Sequence, residues 1–271
     1  MRSYLFSVLS VLVLCFPANA HEFWIEPTSY QVDEGDTVIA DLKNGEEFEG
    51  VSLAWFDRNF TRFDMIVGNE TRPVTARLGD TPAMNTVAWS DGLMIIVHET
   101  TPASLTYSDW AKFMRFAAHK DFPNAENDHT ANGWSKESFR ESYTRHVKAL
   151  VAVGAGSGQD RLQGLETEII ALTNPYDTEF DGQMRVKVTY QGTPRANAQV
   201  EVFEKTSQGS VNITLYRTNE DGLATVPVTP GNSYLFDAVV LRPNAQAGTS
   251  DNAPVWETLW AALTFAVPAQ D

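Results

Sequence analysis

The chain has 271 residues, with 35 acidic side chains against 20 basic ones and a formal charge of −15. That excess disfavours nucleic acid and anionic membrane surfaces, which need basic patches. The only cysteine, Cys15, lies in the opening apolar run, so the rest of the chain offers no disulfide, no Cys-based zinc site and no thiol nucleophile.

Residues 1–20 read as a secretory signal. Arg2 gives a positive start, Tyr4 to Phe16 are apolar, and Ala18-Asn19-Ala20 is a small-x-small cleavage site. Bulky Leu14 before Cys15 argues against lipidation, and no other apolar run is long enough to span a bilayer. The expected product is soluble, periplasmic and not membrane-embedded. Cleavage would make His21 its first residue. A histidine at a free amino terminus offers two donors, since its α-amine and ring Nδ1 can close a chelate ring on one metal ion. Such donors suit Cu, Ni and Zn far better than Ca or Mg.

Short β-type runs follow at Val38–Leu42, Ser52–Phe56, Phe63–Val67, Val74–Leu78, Asn85–Trp89 and Leu93–His98. Turn material separates them at Asn44-Gly45, Gly68-Asn69, Gly79-Asp80 and Asp91-Gly92. Asp91-Gly92 reads as a hairpin turn. Ser108 then caps a predicted helix carrying Trp110, Phe113, Met114 and Ala117 at helical spacing, ending near His119-Lys120. Residues 121–133 read as polar and irregular. Ser135, Ser138, Tyr143 and Val147 suggest a second helix, and Lys148–Val153 a strand.

The glycine-rich stretch 154–158 reads as a flexible connection, with a domain border at about residue 160. Beyond it, strands are expected at Thr167–Leu172, Met184–Tyr190, Gln199–Glu204, Val211–Arg217, Leu223–Val228, Tyr234–Leu241 and Trp256–Val267. The predicted fold class is mainly β, as two antiparallel β-sandwich domains at 21–160 and 161–271. A helical insertion at 108–147 interrupts the first.

All five histidines precede residue 160. His119 and His129 flank a polar loop holding Asp121, Glu126 and Asp128, and such a loop can bring two imidazoles together. The alternative is a pair of exposed polar residues. His98, beside Glu99, is either satisfied within the sheet or a ligand aimed into a groove. His146 reads as a surface helix position. The candidate metal set is therefore His21, His119 and His129, with His98 next. No His-Glu-x-x-His run, phosphate loop or Gly-x-Ser-x-Gly elbow is present, so no catalytic residue is expected.

Several motifs together resemble a bacterial exported family of unknown function, often labelled NikM-like. They are His21-Glu22-Phe23-Trp24-Ile25-Glu26-Pro27, Asp91-Gly92-Leu93, Ser104-Leu105-Thr106-Tyr107 and Glu141-x-Tyr143-x-Arg145-x-x-Lys148-Ala149-Leu150. Asn174-Pro175-Tyr176 and Trp256 … Leu263-Thr264-Phe265 continue the match. Gly192-Thr193-Pro194, Thr218 to Gly222, Pro230-Gly231 and Tyr234 also resemble a transthyretin-like or carboxypeptidase-regulatory β-sandwich. The first resemblance implies a periplasmic part in nickel or cobalt uptake. NikM proper carries membrane-spanning helices that this chain lacks, so a soluble carrier or chaperone is expected, handing a divalent ion (Ni, Co or Cu) to a membrane transporter or receptor. The rival expectations are a copper oxidase built on a histidine brace, and a metal-free interaction module.

Overall fold

The computed structural model describes residues 22–270, so the leader read at residues 1–20 and the chelating role read for His21 lie outside the described residues. In chain order the first half comprises β1 (Glu22–Pro27), β2 (Gln31–Val32), β3 (Thr37–Glu46), β4 (Glu49–Leu53), β5 (Phe60–Val67) and β6 (Glu70–Pro73). Then come β7 (Met84–Val87), β8 (Gly92–Thr100), β9 (Ala103–Tyr107), α1 (Trp110–His119), α2 (Ala125–Ala131) and β10 (Phe139–Val153). The second half adds β11 (Thr167–Ala171), β12 (Gln183–Tyr190), β13 (Thr193–Pro194), β14 (Gln199–Lys205) and β15 (Val211–Arg217). It closes with β16 (Leu223–Pro227), β17 (Ser233–Pro243) and β18 (Trp256–Ala266).

The protein is mainly β and sandwich-like. A ten-stranded sheet runs β15-β14-β17-β18-β10-β8-β5-β6, with β2 and β9 also paired to β10. Alternation along its strands feeds two cores. Leu150 and Ala152 of β10, with Phe236 and Leu263, meet Ile169, Val186 and Val226 of the sheet formed by β11, β12, β13 and β16. Val147, Ala149 and Val151 point the other way, into a core with Trp24, Ile25 and Val38 of the sheet formed by β1, β3, β4 and β7. That small sheet covers only part of its face. The remainder lies under α1 and α2, where Phe113, Phe116 and Ala117 pack on Trp256 and Trp260. Each buried indole removes roughly 200 Å² from water, about 5 kcal/mol of driving force for docking the helices.

Most expected strands form where the alternation puts them, and α1 is the helix expected at this position. Its cap is Asp109, whose side chain accepts from the Ala111 amide at 2.9 Å, one residue later than expected. The second helix does not lie at Ser135–Val147. From Phe139 onward that segment belongs to β10, which is buried almost throughout because it is central and covered on both faces. A strand buried on both sides loses the period-2 signal. The second helix is α2, inside the stretch read as irregular.

The border near residue 160 does not separate two sheets. β10 pairs in parallel with β18 from Glu141↔Trp256 to Ala149↔Thr264, so strands from both halves share one ladder. The glycine-rich connection is itself anchored. Asn174 donates to the carbonyls of Gly156 and Gly158 at 2.8 and 3.1 Å. Lys148, fully buried, pairs with Asp160 at 2.7 Å and Glu168 at 2.9 Å.

Two turns also differ. Asp91-Gly92 joins no hairpin, because β7 pairs with β3 while β8 pairs with β5 and β10. Asn44-Gly45 lies within β3, and the reversal falls at Glu47-Phe48, between the paired residues Glu46 and Glu49. Gly45 is required in the strand, since a Cβ there would sit 1.9 Å from the Glu49 carbonyl oxygen.

Candidate functional site

The site is built at the seam where the small sheet and α1 meet on one face of the large sheet. Helix α1 puts Phe113, Phe116, Ala117 and Lys120 on a single stripe, at offsets of three, four and seven residues. Lys120 is the C-cap residue, and its amide donates to the Phe116 carbonyl at 2.9 Å. The helix end is clamped to the sheet from two sides. Gln199 donates to the His119 carbonyl at 2.8 Å, and Arg217 pairs with Asp121, whose φ of 66° turns the chain away. The Lys120 ammonium is thereby driven into the interior.

Three carboxylates from three strands receive it. Its Nζ lies 2.6 Å from Glu201 (β14), 2.9 Å from Asp237 (β17) and 3.1 Å from Glu22 (β1). All four side chains are buried. Trp260 lies beneath, its ring 5.0 Å from Lys120 Nζ and 4.0 Å from the Arg145 guanidinium carbon. An ammonium has three protons, and here each is matched by an acid. The three carboxylates come within metal-cluster range of one another, but Lys120 fills their centre, so the triad by itself is a counter-ion cage.

The electrostatics follow from depth. Burial pushes Glu22 up to about 7, against the pull of Lys120. Burial likewise raises Asp237. Burial also acts to raise Glu201, but its hydrogen bond to His119 and the charge of Lys120 outweigh that and hold it below its ordinary value. Burial opposes the charge on Lys120, yet the surrounding carboxylates hold it firmly protonated.

Above the cage opens a cavity of about 300 Å³. His119 stands at its mouth, with Nε2 3.0 Å from the outer oxygen of Glu201. That hydrogen bond raises the His119 pKa. Glu22 and Glu201 line the inner wall, and Glu46 and Glu47 line the rim. Glu47 and Phe48 form the two-residue turn with φ of 53° and 60°. Such a turn ordinarily uses Asn or Gly. Phe48 holds the conformation, being 1% exposed and 5.5 Å from the Trp24 ring.

Of the expected metal ligands among the described residues, His119 alone lines this cavity. Among the described residues His98, His119 and His129 form no common donor group. His129 is enclosed by aromatic rings and both of its nitrogens are occupied. Nδ1 accepts from Trp256 Nε1 at 3.0 Å, and Nε2 meets the Ser135 carbonyl at 3.1 Å. The loop between His119 and His129 folds into α2 and carries the second histidine away into the helix–sheet core. His98 faces Phe23, Phe60 and Phe63 at centroid distances of 4.9–5.4 Å, and neither ring nitrogen has a partner. Burial lowers its pKa to about 3. It is neither hydrogen-bonded in the sheet nor aimed at a groove. His146 is not a surface residue but a buried one in β10, 3.4 Å from Glu99.

Sequence reasoning passed over Lys120, Glu22, Glu201 and Asp237. A usable signal was there for three of them. Lys120 continues the apolar stripe of α1, Glu201 shares the strand face of buried Phe203, and Asp237 lies between Leu235 and Val239 on an apolar face. A charge on a face destined for burial demands a partner.

Fold and cavity together define a mainly β sandwich protein with a polar cleft walled by one helix and one hairpin. The family described as DUF4198, a domain of unknown function, matches residues 18–242, and the chain belongs to that family. No curated protein matches it. Among solved structures it is similar to a tetra-tandem repeat in the extending region of a large adhesion protein. That match has 11% identity and a TM-score of 0.21, and covers 92% of this chain and 50% of that one. It is also similar to the D0-D1 domain of Intimin at 12% identity and a TM-score of 0.21, covering 89% of this chain and 97% of that one. This chain thus spans half of the adhesion-protein structure. Likenesses at this level say nothing about function.

Proposed function

We propose that the protein binds a divalent transition-metal ion, Ni, Co or Cu, in this cavity. It would act outside the cytoplasm as a non-enzymatic carrier serving a membrane transporter or receptor. The observation that carries this reading is the His119–Glu201 pair at 3.0 Å, in a cavity also lined by Glu22, the sequence neighbour of His21. Imidazole with carboxylate is a donor set suited to borderline divalent ions. The ion replaces the proton shared by His119 and Glu201, and the α-amine and imidazole of a freed His21 add two nitrogens. Lys120 does not oppose the charge, because its ammonium is already matched by three acids.

Titration calorimetry of the apo-protein with Ni(II), Co(II) and Cu(II) tests this. The expected result is one site per chain, weakened at least tenfold in His119→Ala and unchanged in His129→Ala. Absence of binding for all three ions would overturn it.

A further inference from the structure

The cavity is much larger than a bare ion needs, and one of its walls carries the wrong sign for one. Its volume is about 300 Å³, whereas a water molecule takes roughly 30 Å³ of liquid. Lys112 and Arg115 line the α1 side. They stand three residues apart, hence on one helix face. Lys112 is half-buried and engages no acid among the described residues, and the ion-pair partner of Arg115, Asp109, is 3.9 Å away. Both would repel an approaching cation. The acids of the hairpin, Glu46 and Glu47, line the same cavity. Its apolar floor includes Phe116 and Phe203.

A volume of this size, with a basic wall, an acidic wall and an apolar floor, is complementary to an organic molecule bearing a carboxylate and a positive centre. We infer that the metal enters as a complex with a small chelating carboxylate of the α-amino acid class. The free carboxylate oxygens of the chelator meet Lys112 and Arg115, and its carbon skeleton lies on Phe116 and Phe203. Its metal faces His119 and Glu201. This inference rests on the metal-binding reading above and names the form of its cargo.

Calorimetry with three probes tests it at pH 7.5: Ni(II) alone, L-histidine alone, and Ni(II) premixed with L-histidine. The complex is expected to bind at least tenfold more tightly than either component. The double variant Lys112→Gln, Arg115→Gln should lose that gain while binding Ni(II) alone at least as tightly as the parent does. If L-histidine merely strips Ni(II) from the protein, or the double variant binds the complex as the parent does, the inference is overturned and the metal site stands. If L-histidine alone binds as tightly as the complex, the cavity is a metal-free solute site and the inference is likewise overturned. If nickel binds in neither form, the metal-binding reading falls and takes this one with it.

Discussion

At the scale of single residues, the most consequential side chains are charged or polar groups on faces that folding buries. Lys120 and its three acids illustrate the satisfied case and His98 the unsatisfied one. Phe23 comes to the His98 ring from β1, and Phe60 and Phe63 from β5, so no acceptor stabilises an imidazolium there. Its pKa falls from an ordinary 6.5 to about 3 when the chain folds. Between those values the unfolded chain holds the proton and the folded chain does not, so acid favours unfolding. The stability His98 preserves above pH 6.5 is lost as pH falls towards 3. At pH 4.5 the loss is about 3 kcal/mol. Urea denaturation should therefore show the parent losing that much more stability than His98→Leu between pH 7.5 and 4.5. A stability difference independent of pH would contradict this account.

At the scale of elements, the hairpin β3–β4 and helix α1 decide where the cavity lies. The reversal at Glu47-Phe48 forces two ordinary residues into the left-handed region, at a cost of roughly 1–2 kcal/mol each. Glu47→Gly should relieve part of that strain and raise stability by about 1 kcal/mol, measured by thermal unfolding. A lower melting temperature would show that Glu47 is held by contacts that outweigh its backbone strain. This hairpin also shows why some elements were legible in the sequence and others were not. Asn44-Gly45 has the stronger turn chemistry, but burial of Phe48 moves the reversal three residues on. Helix α1 was legible because one of its faces is solvated and its period survives. The start of β10 was not, because burial on both faces erases the alternation that separates strand from helix. His119 was legible as a candidate ligand from its place at a helix end. Its partner Glu201 was not, since 82 positions separate them and β14 meets the helix end only in the folded chain.

At the scale of the whole molecule, the shared ladder of β10 and β18 makes the two halves one structural unit. Separating the halves would strip each of one long ladder: β18 contributes the parallel partner of β10, and β10 contributes that of β18. Equilibrium unfolding should accordingly be a single transition, with tryptophan fluorescence and far-ultraviolet circular dichroism coinciding. Two resolved transitions would contradict the continuous sheet. The same continuity fixes the cavity, since its walls come from β1, the β3–β4 hairpin, α1 and β14, and no one half supplies them all. The central claim is that this seam, and not the aromatic box around His129, holds the metal. Anomalous diffraction from a nickel-loaded crystal tests it most directly. The account predicts one peak within about 2.1 Å of a His119 ring nitrogen, with a Glu201 oxygen also in the coordination shell. A peak at His129 or His98, or no ordered nickel in the cavity, would contradict it.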